Sequence, residues 1–261
     1  MLAGISTACF YPQHTEEALR DIARMHPQCV ELFLNCLEEM QQPLLGEMQA
    51  IAKSNGVRIH SLHPYTSGME PLYFFTKYPR RQKEGRDFYK RYYEAANILG
   101  ADIVVFHGGI RHLPMEQEEY FERFSLLWED ARAQGISLCH ENVVRCVGYC
   151  PAFFENMKKC IPGAEFVFDV KQAVRAGEDV YHFADAMGGA LRHIHLSDHS
   201  GEGDCLIPGQ GTLDIHKLLT TVRKNGFDGS VVVELYRENF RDIVEMWQGY
   251  QRLSQDLSTY A

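Results

Sequence analysis

Six side chains able to bind a metal or move a proton each stand at the end of a short apolar run. They are His63 after VRIHSL, His107 after IVVF, Glu141 after ISLCH, Asp169 after FVF, His195 after HI and Glu234 after VVV. Glu141, Asp169, His195 and Glu234 together make a hard, oxygen-rich donor set that suits Mn²⁺, Mg²⁺, Co²⁺ or Zn²⁺ and leaves room for water or substrate oxygens. Three carboxylates crowded together are costly without a cation. The plain alternative is that each group pairs with a basic residue of a neighbouring loop, but only Lys171 and Arg111 stand close in sequence. His193 shares strand parity with His195 and is placed to support it from behind, whereas His60 and His140 read as structural. Lys171 either meets an acid group of a substrate or faces solvent.

These groups act together only if the runs that carry them end on one side of the molecule. Eight runs have the length and composition of buried strands: AGISTACF, CVELFLN, VRIHSLH, DIVVFHG, ISLCHEN, EFVFDV, RHIHLSD and SVVVELY. Between them lie helix-compatible segments such as TEEALRDIARM, LLGEMQAIAKSNG and MEQEEYFERFSLLWEDARAQG, with apolar residues at three-to-four spacing. Gly56, Gly100 and Gly135 follow the last turn of such segments and feed a strand. Repeated strand–helix units without a linker predict an α/β fold, one (β/α)8 TIM barrel over residues 1–261, closed by a helix from about Phe240 to Ser258. A doubly wound open sheet would carry a glycine-rich phosphate loop after its first strand, where this chain has CFYPQ. In a barrel the six strand-end groups share the C-terminal mouth, and Phe10, Phe33 and Tyr65 are candidates for an apolar wall there. The helical spacing around Trp128 makes it core.

Composition narrows the partners. The 261 residues carry 35 acidic and 26 basic side chains, a formal charge of −9, which offers no electrostatic footprint for nucleic acid. A small-molecule sugar or polyol, with a cation, is the expected partner; no membrane span is expected, and self-association into a homo-oligomer is left open. The start of the chain does not read as a secretory signal, so a cytoplasmic location is expected. The eight cysteines are dispersed without a Cys-x-x-Cys pair and are expected to be reduced; Cys146, Cys150 and Cys160 match no zinc module.

With these motifs assembled, the chain resembles the xylose isomerase-like TIM-barrel superfamily, which includes sugar isomerases and epimerases and the endonuclease IV type of AP endonuclease. The likeness spans the chain and rests on His63-Pro64-Tyr65, Phe106-His107-Gly108-Gly109, Glu141-Asn142-Val143, Phe168-Asp169, His193-Ile194-His195-Leu196-Ser197-Asp198, Pro208-Gly209-Gln210-Gly211 and Val233-Glu234. The resemblance implies that Glu141, Asp169, His195 and Glu234 hold the metal. It also implies that Glu141 and Glu234 form the catalytic pair, one removing a proton beside a carbonyl and the other returning one, through a metal-bound enediolate. His63, His107, Gln172, Lys171 and His193 are the further candidates for a second metal or for substrate contacts, with hydrogen bonding of His63 and His107 to substrate hydroxyls the preferred reading.

The expected activity is thus a metal-dependent sugar isomerase or epimerase. A dehydratase of the inosose or dehydroshikimate type on the same scaffold is the alternative, followed by a non-catalytic metabolite-binding protein. The nuclease branch fits less well: its third zinc site needs a histidine where this chain has Gln172, and an acidic chain suits DNA poorly. Several epimerases carry a substrate-contacting histidine at the Gln172 position and an arginine in the segment after His195, here LSDHSGEG, so the identity of the sugar stays open.

Overall fold

The computed structural model describes residues 1–260. Its strands are β1 (Leu2–Ser6), β2 (Cys29–Leu34), β3 (Arg58–Pro64), β4 (Ile103–Phe106), β5 (Ser137–Glu141), β6 (Glu165–Asp169), β7 (Leu191–Leu196), β8 (Asp198–Ser200), β9 (Gly203–Leu206) and β10 (Ser230–Val233). All but β8 and β9 pair in parallel and close into a barrel in the order β1-β10-β7-β6-β5-β4-β3-β2. Ten helices connect and surround them: α1 (Thr15–Ala23), α2 (Leu44–Ser54), α3 (Glu70–Tyr73), α4 (Pro79–Leu99), α5 (Gln117–Arg132), α6 (Pro151–Cys160), α7 (Val170–Ala176), α8 (Val180–Met187), α9 (Ile215–Lys224) and α10 (Ile243–Ser258). None of these helices is long and apolar enough to cross a membrane. The expected TIM barrel is the fold observed.

Strand alternation divides the core. Leu138, Phe166, Phe168, Ile194, Leu196, Val231 and Val233 face outward into the large apolar layer beneath the helices. The inward positions of β4, β5 and β6 supply a separate small apolar cluster, Ile103, Val105, Cys139 and Val167, which plugs one half of the barrel interior. The other half is polar: Ser6, Glu31, Ser61, His193 and Ser230 are all buried there. Glu141, Asp169, His195 and Glu234 sit at the C-terminal ends above this plug, with Asp169 and His195 in direct register across β6 and β7.

Three local features depart from the sequence expectation. TACF does not continue the first strand but turns into a short 3-10 helix, started by Ser6 Oγ accepting the Ala8 N–H. The run after His195 folds back as the β8–β9 hairpin. Asp198 then ties it to the PGQG turn by accepting N–H groups of Gly209, Gly211 and Leu213 at 2.9 Å each. A side chain on Gly211 would collide with that carboxylate. The last helix starts at Ile243, not Phe240, because Asp242 caps it by accepting from Val244 and Glu245 N–H.

Candidate metal centre and active site

One donor atom each from Glu141, Asp169, His195 and Glu234 lies within 4.8 Å of the other three. His195 Nδ1 is the hub, 2.9 Å from Glu141 Oε1 and 3.1 Å from Glu234 Oε2. Asp169 reaches the group while capping α7 with Oδ1, which accepts the Gln172 N–H at 3.0 Å. Its own backbone is clamped by Asn142, whose carboxamide donates to Asp169 O and accepts from Asp169 N. Lys171 Nζ bonds Asp169 Oδ2 at 2.9 Å and Glu234 Oε2 at 3.2 Å, so this lysine is buried against the acidic group and does not face solvent.

Burial would raise every carboxyl here, yet the neighbours decide the outcome differently for each. His107 and His195 hold Glu141 well below the usual range, and His195 and Lys171 do the same for Glu234. Asp169 rises to about 6, because burial and the charges of Glu234 and Glu141 outweigh Lys171. Burial alone would lower His195, but Glu234, Glu31 and Glu141 hold its proton well above the ordinary imidazole range. Negative charge is in excess even with one imidazolium and one ammonium present, and buried Glu141 Oε2 has His107 Nε2 as an ionic neighbour at 2.6 Å without hydrogen-bond geometry. Both observations fit a divalent cation.

Beneath the mouth lies a carboxylate that the sequence reading passed over. Glu31, fully buried on β2, accepts from His195 Nε2 at 3.1 Å, His193 Nε2 at 3.0 Å, Ser61 Oγ at 2.9 Å and Ser6 Oγ at 3.0 Å. His193 is pushed down by burial and is neutral, so its Nδ1 accepts from Ser230 Oγ at 2.6 Å. His195 is therefore pinned through Nε2 by a carboxylate and presents Nδ1 to the cluster above. A carboxylate behind an imidazole is the arrangement that orients metal-binding histidines. His193 supports His195 only indirectly, by sharing Glu31.

His63, His107 and Glu141 form a second group, with His63 Nε2 3.0 Å from His107 Nε2 and the latter 2.6 Å from Glu141 Oε2. Nδ1 of both histidines is buried without a partner, in contrast to His195. Burial and His63 lower His107, whereas the Glu141 carboxylate raises His63 against its burial. The loop after His107 is held by a second unforeseen carboxylate, Glu70, which accepts from Tyr89 Oη and Gly108 N–H. Gly108 has φ 89°, and a side chain there would strike Tyr120 Oη.

A cavity of about 500 Å³ opens over this centre. Phe33, Tyr65, Lys171, Gln172, His63 and His107 line it, joined by Arg145, Asn35 and Tyr236. Phe10 is instead buried against Phe240, and Trp128 is buried beside Gly135, Ser137 and Glu165, at the starts of β5 and β6. His140 faces outward, lowered to about 3 by burial, with Nε2 2.7 Å from Tyr120 Oη and Nδ1 3.0 Å from Glu141 O. His60 is likewise buried away from the mouth. The three candidate metal groups among the described residues contain no cysteine.

Residues 19–255 match the family model for the xylose isomerase-like TIM barrel. The chain belongs to that family. Among its relatives, an uncharacterized protein of Mycobacterium leprae is 26% identical over 93% of this chain and 91% of its own length. D-psicose 3-epimerase of Agrobacterium fabrum is 23% identical over 83% of this chain and 77% of that enzyme. The solved structure of a D-tagatose 3-epimerase-like protein superimposes with a TM-score of 0.81 at 21% identity, covering 99% of this barrel and 98% of that one. The IolI protein with a zinc atom bound gives 0.80 at 17% identity, over 100% and 99%.

Proposed function

We propose that this family member is a divalent-metal-dependent isomerase or epimerase of a small sugar or sugar derivative, acting by proton transfer beside a carbonyl. The observation that carries the reading is the convergence of Glu141 and Glu234, from strands with β6 and β7 between them, on the single Nδ1 of His195. Their closeness within one buried, cation-fitting group is what a shared-metal mechanism needs. The names of the similar D-psicose 3-epimerase and D-tagatose 3-epimerase-like protein agree with it.

Glu141, Asp169, His195 and Glu234 would hold the cation, with His195 offering Nδ1. The cation would supply positive charge that acidifies the C–H beside a carbonyl and stabilises the oxyanion that develops. Glu141 and Glu234 are kept ionised by their neighbours, so either carboxylate can take the carbon-bound proton. Return by the same carboxyl to the adjacent carbon, with a proton passing between the two substrate oxygens, gives isomerisation; delivery to the opposite face by the other carboxyl, once it has taken a proton from a substrate hydroxyl or water, gives epimerisation. Lys171 holds Asp169 and Glu234 in place from the side. His63 and His107 are assigned to substrate hydroxyls, because their Nδ1 atoms lack the supporting acceptor that His195 has. Phe33 and Tyr65 shield the cavity from water along one wall.

The test is deuterium incorporation from D₂O into a panel of ketoses in the presence of Mn²⁺, read by mass spectrometry. Exchange at the carbon next to the carbonyl on at least one member is expected. A panel in which nothing exchanges contradicts the reading, and loss of water with a new conjugated-carbonyl absorbance replaces it with the dehydratase.

A further inference from the structure

Every charged side chain lining the cavity has an ion-pair partner among the described residues except one. Lys171 is spent on Asp169 and Glu234, and Glu141 on His107 and His195. Arg145 lines the same cavity with an exposed guanidinium that makes no hydrogen bond or ion pair with any described residue. Arg175, another arginine close to the cavity rim, is already held by Asp204 and Tyr236.

Arg145 is nevertheless on a fixed mount. Its carbonyl accepts the Arg111 N–H at 2.8 Å, the preceding Val144 N–H donates to Gln172 Oε1 at 3.1 Å, and Val147 N–H donates to Gly109 O at 2.9 Å. Gln172 thus uses its carbonyl to hold this loop, and its amide nitrogen, which has no protein partner among the described residues, is left at the cavity wall. A guanidinium and an amide N–H₂ lining one cavity present donors only, and a planar arginine fork matches a carboxylate or phosphate. On a chain of net charge −9, an anionic ligand needs such a local cation to enter.

We propose that Arg145 and Gln172 form a subsite for the anionic end of the substrate, which is an open-chain keto sugar carrying a terminal carboxylate or phosphate. This rests on the isomerase reading of the metal centre for the keto function, but not for the anion.

The experiment uses ligands that cannot turn over because they lack a carbonyl: a six-carbon alditol, its aldonate and its terminal phosphate, titrated calorimetrically into the Mn²⁺-loaded protein and into Arg145→Gln and Arg145→Lys. At least one anion is expected to bind ten-fold or more tighter than the alditol, with that advantage lost in Arg145→Gln and partly kept in Arg145→Lys. Which anion gains tells carboxylate from phosphate. Equal binding of all three ligands, no measurable binding of any, or an advantage that survives in Arg145→Gln overturns the proposal. An Arg145-dependent anion advantage together with no deuterium exchange on the matching keto acid or keto phosphate retains the subsite and rejects the isomerase reading.

Discussion

Replacing Glu31 by Gln tests the link between the buried network and the metal centre. The two side chains have nearly the same shape. With the amide oxygen in the place of Oε2, the hydrogen bonds from Ser61, His193 and His195 survive, and the NH₂ in the place of Oε1 finds Ser6 Oγ, a hydroxyl that can turn and accept. What is lost is the charge that holds His195 through Nε2 and strengthens its Nδ1 as a donor. Removing such a supporting carboxylate weakens metal binding by roughly 10- to 100-fold. That corresponds to about 1.4–2.7 kcal/mol, and the stabilisation that saturating metal confers should shrink by the same amount. The assay is calorimetric titration of Mn²⁺ into the metal-free protein, with urea unfolding and circular dichroism to confirm that the barrel is intact. A dissociation constant within three-fold of the wild type, in a variant that is folded, refutes the idea that Glu31 acts through His195.

Other perturbations follow from the same geometry. Lys171→Met strips Asp169 and Glu234 of their buried counter-charge, so the metal-free protein should lose about 3–5 kcal/mol in urea unfolding while its melting temperature rises more on adding Mn²⁺ than that of the wild type; an equal or smaller rise counts against a cation site beside Lys171. Glu141→Gln and Glu234→Gln should each abolish deuterium exchange and leave the barrel folded, and exchange retained at wild-type rate in either removes that carboxylate from the proton transfer. Acid should destabilise the protein through His140: its folded value of about 3 lies below the unfolded value of 6.5, so the unfolded chain binds the extra proton in that window. Stability then falls as pH drops below 6.5, by about 1.4 kcal/mol per pH unit from this residue, and His140→Asn should flatten the urea midpoint between pH 6.5 and 5; an unchanged slope assigns the effect elsewhere.

The barrel was legible because its pattern repeats: eight apolar runs alternating with helix-compatible segments, several of them ended by glycine, leave few other folds. The strand-end groups were legible for the same reason, since a polar residue closing an apolar run is visible in one dimension. Glu31 was not, because it sits inside CVELFL, two residues beyond Cys29 and ahead of the strand end. Its only trace is a lone acid at an inward position of a run with no polar neighbour, and its partners come from β1, β3 and β7, far away in sequence. Glu70 was hidden differently, in the four-residue α3, where nothing local reveals that it supports Gly108. The role of Lys171 turned on whether its ammonium points inward from the first turn of α7, and only packing decides that. The β8–β9 hairpin escaped notice because Asp198, which organises it, binds N–H groups up to fifteen residues away.

In the proposed centre Glu141, Asp169, His195 and Glu234 hold one divalent cation at the mouth of the barrel. Crystals grown with Mn²⁺, measured at the manganese absorption edge, test it most directly. One strong anomalous peak bonded to all four side chains is expected, with His195 binding through Nδ1 and Glu31 still on Nε2. A peak held by His63 and His107 without Asp169 and His195, or no peak at the mouth at saturating Mn²⁺, contradicts it.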